Sequence, residues 1–371
     1  MKRFGLAIMV LILGAGTLSG CDVTANKTAL IYGKYQGELS ALTYEQLQNK
    51  IAGDDNFIVF QTPNSACTCW TSFRDSILQP YLESNHIRVY TIAFAQFYDI
   101  NNVKRDTFGI TLSASSQTLA IFKDGNLKLM REYNSTHKIW SSADSFLAYI
   151  NELVIKPTII DIDLALLQTL YAQNNTFSIL YYDEGSESTF LRREFLKQYS
   201  LKNYLTMNTL YSLNTNIEGI KLDIAGEFDD EQWQTFKDSY GLSSLNNSVY
   251  GWGDGFVPTF QYIEPDGVNT NGEIIKTQAV YLNDVLTPTS APDTYQVVES
   301  FYSSARSSVL SYLSSFEGTK VLEGLIVTGA DTQVIGTSTI WQQEKAALYH
   351  DPILKAFLDE RLPLVTHKLD V

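Results

Sequence analysis

"NFIVFQTPNSACTCWTSFRDSILQPYLES", residues 56 to 84, decides how the rest of the chain is read. It opens with a short apolar run, Phe57 to Phe60, that Pro63 stops, the pattern of a buried strand. Beyond it, Trp70, Phe73, Ile77, Leu78, Tyr81 and Leu82 recur at helical spacing. Pro80 falls near the end of that helix, where a lost backbone hydrogen bond is least costly. Between strand and helix stand Cys67 and Cys69, two of the three cysteines in the chain. A thiol at a helix N-terminus faces unpaired N–H groups and the positive end of the macrodipole, and both stabilise thiolate. With a second thiol beside it, one can attack and the other resolve. The residues leave three readings open: disulfide exchange, an inert structural bridge, or half of a metal site that would need further ligands. His86, His137, His350 and His367 show no paired spacing and read as surface or capping residues, so no metal is expected.

Working outward, "LTYEQLQNKIAG" (42–53) sets Leu42, Leu47 and Ile51 near one helical face and ends on Gly53, a suitable C-cap. "HIRVYTIAF" (86–94) is a second buried strand, and residues 98–110 form a further helix candidate. "TLAIFKDGNLKLMREY" (118–133) is a hairpin turning at Asp124-Gly125. "SSADSFLAYINELV" (141–154) is an N-capped amphipathic helix. After Lys156-Pro157 the plan restarts. "DIDLALLQTLYAQ" (161–173) is amphipathic, "TFSILYYDE" (176–184) is a strand, and "STFLRREFLKQYSL" (188–201) is a helix. An insertion of roughly fifty residues follows, long enough to need structure of its own. It holds the helix candidate "DDEQWQTFKDSYGL" (229–242) and the loop "YGWGDG" (250–255). "FVPTFQYIEPDG" (256–267) and "KTQAVYLND" (276–284) supply further strands. "TYQVVESFYSSARSSVLSYLSSFEG" (294–318) predicts a helix, residues 320–338 one or two strands, and 341–362 a helix apart from Pro352.

Strand, helix, strand, helix, hairpin and helix, with thiols at the start of the helix after an apolar strand, resembles the thioredoxin fold. The resemblance implies an α/β chain of two thioredoxin-like domains, each a mixed central sheet flanked by helices, with a helical C-terminal portion. The first domain spans 35–156 and carries Cys67 and Cys69. The second spans 157–320, is degenerate and has "DEGSEST" where the redox motif would be. Residues 321–371 form an extension that could belong to the second domain. In the family the cysteines are usually spaced Cys-x-x-Cys. Here the pair is Cys67-Thr68-Cys69, and Ala66 stands where the usual nucleophile would fall if Cys69 is the second cysteine. A bridge over one residue closes only if the Cα atoms come within about 7 Å, and the strain expected of it favours oxidase or isomerase over reductase work. Either thiol can attack; Cys67, nearer the loop, is favoured, with Cys69 resolving. The family's cis-proline, which helps to position substrate backbone, corresponds to Pro258 in the second domain. The matching position in the first is Gln117. The first domain thus has thiols without the proline, and the second the proline without thiols.

The N-terminus, "MKRFGLAIMVLILGAGTLSGCDV", has a basic start, an apolar run too short to span a bilayer comfortably, and small residues leading into Cys21. It resembles a bacterial lipobox. That resemblance implies a signal peptide over 1–20, diacylglyceryl transfer to the Cys21 sulfur, acylation of its amine, and a tether over 21–34. The protein is then expected at the cell membrane on its extracytoplasmic face, where two acyl chains hold stably. A net charge of −14 argues against nucleic acid and against electrostatic binding to anionic lipid. Once Cys21 is acylated, Cys67 and Cys69 cannot staple a fold, because so short a loop removes little chain entropy. The expected partners are the membrane and exported proteins with thiols, without a cofactor. The alternative is a non-catalytic envelope lipoprotein that binds peptide or protein through the same domains.

Overall fold

The computed structural model describes residues 27–64, 67–97, 109–110, 112–173, 175–185, 188–189, 191–240, 242, 257–263, 354–355 and 358–367, and the backbone of five further strands. The expected signal peptide over 1–20, Cys21, residues 98–108 of the helix candidate over 98–110, the loop at 250–255 and His350 lie outside the described residues.

Two sheets carry the same plan. In the first domain the strands are β3 (Glu38–Ala41), β4 (Phe57–Thr62), β5 (Arg88–Ala93), β6 (Thr118–Lys123) and β7 (Asn126–Glu132), in spatial order β3-β5-β4-β6-β7. The β3–β5 and β4–β5 pairs are parallel, while β6 is antiparallel to both β4 and β7. The parallel pairs are joined through helices, as such crossovers require. Helix α1 (Tyr44–Ala52) begins in a capping box between Thr43 and Gln46 and ends at Gly53. Helix α2 (Thr68–Phe73) runs through a π turn at Arg74–Leu78 into α3 (Gln79–Asn85), with Pro80 in its first turn. Helix α4 (Ala143–Leu153) closes the unit, capped by the Ser142 hydroxyl.

The second sheet repeats this order with β9 (Ile159–Asp161), β10 (Phe177–Tyr182), β11 (Leu210–Asn214), β12 (Thr259–Ile263) and β13 (Gln278–Tyr281), arranged β13-β12-β10-β11-β9. Parallel and antiparallel pairs fall in the same places. Its helices are α5 (Leu164–Ala172), α6 (Lys197–Asn203) entered through a π turn at Leu191–Leu196, and α7 (Asp230–Tyr240) inside the insertion. Both units therefore have the thioredoxin-like fold: a mixed sheet flanked by helices. Every residue of β10 is buried, as expected of a central strand covered on both faces.

Three stretches differ from expectation. Residues 28–34, read as tether, are built into both domains. Strand β1 (Thr28–Ala29) pairs with β8 (Val154–Ile155), and β2 (Tyr32–Lys34) adds a sixth strand beside β9. Each strand is too short to show a period, and each pairs with residues far along the chain. Leu30 and Ile31 between them are buried, which a tether would not require. The helix expected over 294–318 opens instead as a strand, β15 (Thr294–Val297), and the one expected from 341 overlaps β17 (Ser338–Gln342). With β14 (Leu286–Pro288) and β16 (Thr332–Ile335) they form an antiparallel sheet, β14-β15-β17-β16, drawn from both sides of residue 320. Thr, Tyr, Val, Ile and Trp dominate these segments, and such residues prefer a pleated surface. Strands β9 and β11, which carry the second repeat, were not among the elements expected from the sequence; both are short and mix polar with apolar residues.

An ion network joins the two units. The Arg88 guanidinium, on β5, reaches Glu38 in its own domain and Asp161 in the other, the latter at 3.2 Å. Asp161 also pairs with Arg192 at 3.3 Å and accepts the Ser212 hydroxyl. Arg192 lies 3.8 Å over the Tyr182 ring and 4.6 Å over Tyr32. Burial alone would make Arg192 easier to deprotonate, but Asp161, Tyr182 and Tyr32 together outweigh it and hold the guanidinium as a cation.

Candidate functional site: the cysteine bridge and its amide neighbour

Strand β4 is buried up to Gln61, and its end delivers the chain to the cysteines. Gln61 itself clamps the loop opposite. Its amide nitrogen donates to the Ser113 carbonyl at 2.9 Å, and its carbonyl accepts the Ser113 N–H at 2.9 Å. Asn64 N–H then donates to the Ala114 carbonyl at 3.2 Å. Two strand ends, those of β4 and of the loop entering β6, are thereby held side by side.

Cys67 is the N-cap of α2. Its backbone is extended, its carbonyl accepts the N–H groups of Trp70 and Thr71, and the Cys69 N–H points at its sulfur at 3.2 Å. Serine or aspartate oxygen commonly fills this place; here a sulfur does. The helix is anchored behind the cysteines by Trp70 and Phe73. Their rings pack on Phe60 with centroids 5.7 and 5.6 Å away, and Phe73 also meets Trp140 at 5.1 Å. Cys67 and Cys69 are joined as a disulfide with Cα atoms 5.1 Å apart, and both are half-buried. The tight turn at the helix start brings the Cα atoms within bonding range even though one residue separates them.

Gln117 stands immediately before β6, opposite the pair. It has no exposed surface. Its amide oxygen lies 3.3 Å from the Cys69 sulfur, and its amide nitrogen donates to the Cys69 carbonyl at 3.4 Å. Its amide is turned inward and engaged with Cys69. Position along the chain identified the residue; only the fold shows which way it faces.

Pro258 occupies the corresponding place before β12, is buried, and follows a cis peptide bond from Val257. The loop after β10, where the second domain would carry cysteines, holds a polar knot instead. Ser188, fully buried, donates to the Asp183 carboxylate at 2.9 Å and accepts the Asp183 N–H at 3.2 Å; Gly185 N–H donates to the same carboxylate. Lys221 pairs with Asp183 at 3.3 Å. Cys67, Cys69 and Gln117 are thus brought together in the first domain, and Pro258 belongs to the equivalent end of the second. Of the histidines, His86 caps α3 in a left-handed conformation and His137 caps a short 3-10 turn, both as expected.

No family model matches the chain, and no curated protein does. Solved structures do. Human ERp44 in its zinc-bound form is 16% identical over 47% of this chain and 47% of its own, with a TM-score of 0.21. Full-length ERdj5 is 12% identical over 64% of this chain and 28% of its own, with a TM-score of 0.24. The bb fragment of ERp72 is 13% identical over 70% of this chain and 92% of its own, with a TM-score of 0.27. The chain spans about half the length of the ERp44 structures it matches. At these scores the likenesses carry no argument about function; the fold assignment rests on the strand order and pairing of the two sheets.

Proposed function

We propose that this chain is an extracytoplasmic thiol–disulfide exchange protein, held at a membrane through acylated Cys21 and acting on exported proteins that carry thiols. One observation supports the reading above the others: Cys67 and Cys69 are bridged at the N-terminal end of the helix that follows a buried central strand, and they are not sealed in the core. A buried structural bridge would be inert; a half-buried one at a helix start, with the Cys69 N–H directed at the Cys67 sulfur, can be attacked.

In the oxidising direction, a client thiolate attacks the Cys67 sulfur. The Cys67–Cys69 bond breaks, its electron pair leaves on Cys69, and a mixed disulfide forms. A second client thiolate then attacks that mixed disulfide, leaving the client with a disulfide and the pair as two reduced thiols. The pair returns to the bridged state by passing two electrons to an external disulfide. In this scheme the second domain is structural or receives the client, with Pro258 on its substrate-facing loop.

The test is a titration of the pair in glutathione buffers, read by thiol alkylation and mass. Reversible equilibration is expected, at a relatively oxidising potential, and Cys69→Ser should accumulate a client adduct on Cys67 in cells. A bridge that ignores mild reductant, with no adduct on either cysteine variant, would overturn the proposal. The non-catalytic binding protein, favoured by the cysteine-free second domain, would then stand.

A further inference from the structure

The two sulfurs of the bridge have unlike surroundings. Cys67 Sγ receives the Cys69 backbone N–H at 3.2 Å, a donor at the start of a helix. Cys69 Sγ faces the oxygen of the buried Gln117 amide at 3.3 Å. An N–H stabilises a thiolate. A carbonyl oxygen does the reverse: it accepts a hydrogen bond from S–H and repels S⁻. The amide cannot turn over to offer its NH₂ to the sulfur without cost, because its nitrogen is engaged by the Cys69 carbonyl at 3.4 Å. Reversal would set two carbonyl oxygens against each other in a site closed to water, where an unmatched pair is expensive. Cys69 therefore fixes its own partner's orientation through its main chain.

We infer that Gln117 is a positioning residue that holds reduced Cys69 as a neutral thiol, leaving Cys67 as the attacking sulfur. This rests on the exchange reading above. In the bridged state the Cys69 sulfur carries no proton and the 3.3 Å approach is a contact. On reduction, two electrons and two protons convert the bridge to two thiols; Cys69 keeps its proton on sulfur and donates it in a hydrogen bond to Gln117 Oε1, and Cys67 loses its proton to solvent. The same contact also opposes ionisation of Cys69 while a client sits on Cys67, so it lengthens the life of the mixed disulfide.

The experiment uses the full chain, reduced with dithiothreitol and then freed of it. Iodoacetamide alkylation of Cys67 and Cys69 is followed separately by peptide mass between mildly acidic and mildly alkaline pH. In the wild type Cys67 should react faster. Gln117→Met keeps the side-chain length and removes the acceptor. It should speed Cys69 about fivefold, the worth of one ordinary hydrogen bond, while Cys67 changes little. Gln117→Glu restores an acceptor, and its carboxylate should hold Cys69 slower than wild type once ionised. A Cys67 to Cys69 rate ratio that is the same in all three proteins would overturn the inference, as would a faster Cys69 in the glutamate variant. If the methionine variant does not fold, the pH-dependent slowing in the glutamate variant decides alone. Failure of the exchange reading looks different: the pair then ignores glutathione in every variant, whatever the alkylation ratio of the chemically reduced protein.

Discussion

The two domains lay down the same strand order and the same parallel and antiparallel pairs, yet they finish the same sheet end in different chemistry. After β4 stands a cysteine bridge with an amide behind it; after β10 stands an Asp183–Ser188–Lys221 knot. The loop before β6 contributes Gln117, and the loop before β12 contributes Pro258. The scaffold delivers two loops to one place, and a few side chains there decide whether the place can react. The second copy closes that place. Its polar atoms satisfy one another, whereas in the first copy the bridge stays half-open to solvent.

If the second copy were an appendage, disturbing its strand β9 would leave the first untouched. Asp161 makes the opposite case. It is 7% exposed and is the shared counter-ion of Arg88, from the first domain, and Arg192, from its own. Asp161→Ala leaves Arg192 without its carboxylate and Arg88 with Glu38 alone, and removing one partner of a buried pair typically costs about 3–5 kcal/mol. The urea midpoint should fall for probes in both domains, such as Trp140 in the first and Trp233 in the second. A shift confined to the second domain would show that the network does not couple them.

A smaller effect is expected at the knot. Ser188→Ala removes a buried hydroxyl that bonds Asp183 twice, leaving the Asp183 N–H and carboxylate short of a partner, at about 1–3 kcal/mol. Urea unfolding followed by Trp233 should register the loss. Glutathione equilibration of Cys67 and Cys69 should stay as in the wild type. A changed redox equilibrium would mean that the two sheet ends communicate and that the second is more than closure.

What the sequence made legible follows from where the physical signal is local. Strand β4, helix α2 and its continuation, the Asp124-Gly125 hairpin and α4 each carry their own period, cap or turn residue, so they could be read in isolation. Cys67, Cys69 and the Gln117/Pro258 exchange were legible because position relative to those elements is itself local information. Strands β1, β2 and β9 were not. Two or three residues show no period, and their stability comes from partners as distant as Val154 from Thr28. The facing of Gln117 was hidden for the same reason: only the packed sheet shows that its amide turns back on Cys69. The placing of Arg192 over the Tyr182 and Tyr32 rings is a tertiary fact with no local sign in the sequence. At Thr294–Val297 and Trp341–Gln342, spacing compatible with a helix lost to residues that prefer strands, while residues 354–355 and 358–361 are helical as expected.

The least effect is expected where the second domain has something the first lacks, a terminal segment laid across the start of its central strand. Thr366 and His367 N–H groups both reach the Thr176 carbonyl, and the His367 ring nitrogen lies 2.6 Å from the Tyr211 hydroxyl. Burial holds His367 below the ordinary histidine value of 6.5, so the folded protein keeps it neutral where the unfolded chain would take a proton. The sign follows from linkage. Above the unfolded value neither state binds the proton and stability is flat. As pH falls through that value the unfolded chain gains protons first and stability declines, until the pH drops below the folded value and the curve levels. His367→Phe keeps a ring against Tyr211 and removes the titration. Below about pH 6.5, its urea midpoint should lose less on acidification than that of the wild type. Parallel curves for the two proteins would show that the segment releases His367 to water before the domain unfolds, and that the clasp adds nothing to the second domain that the first does without.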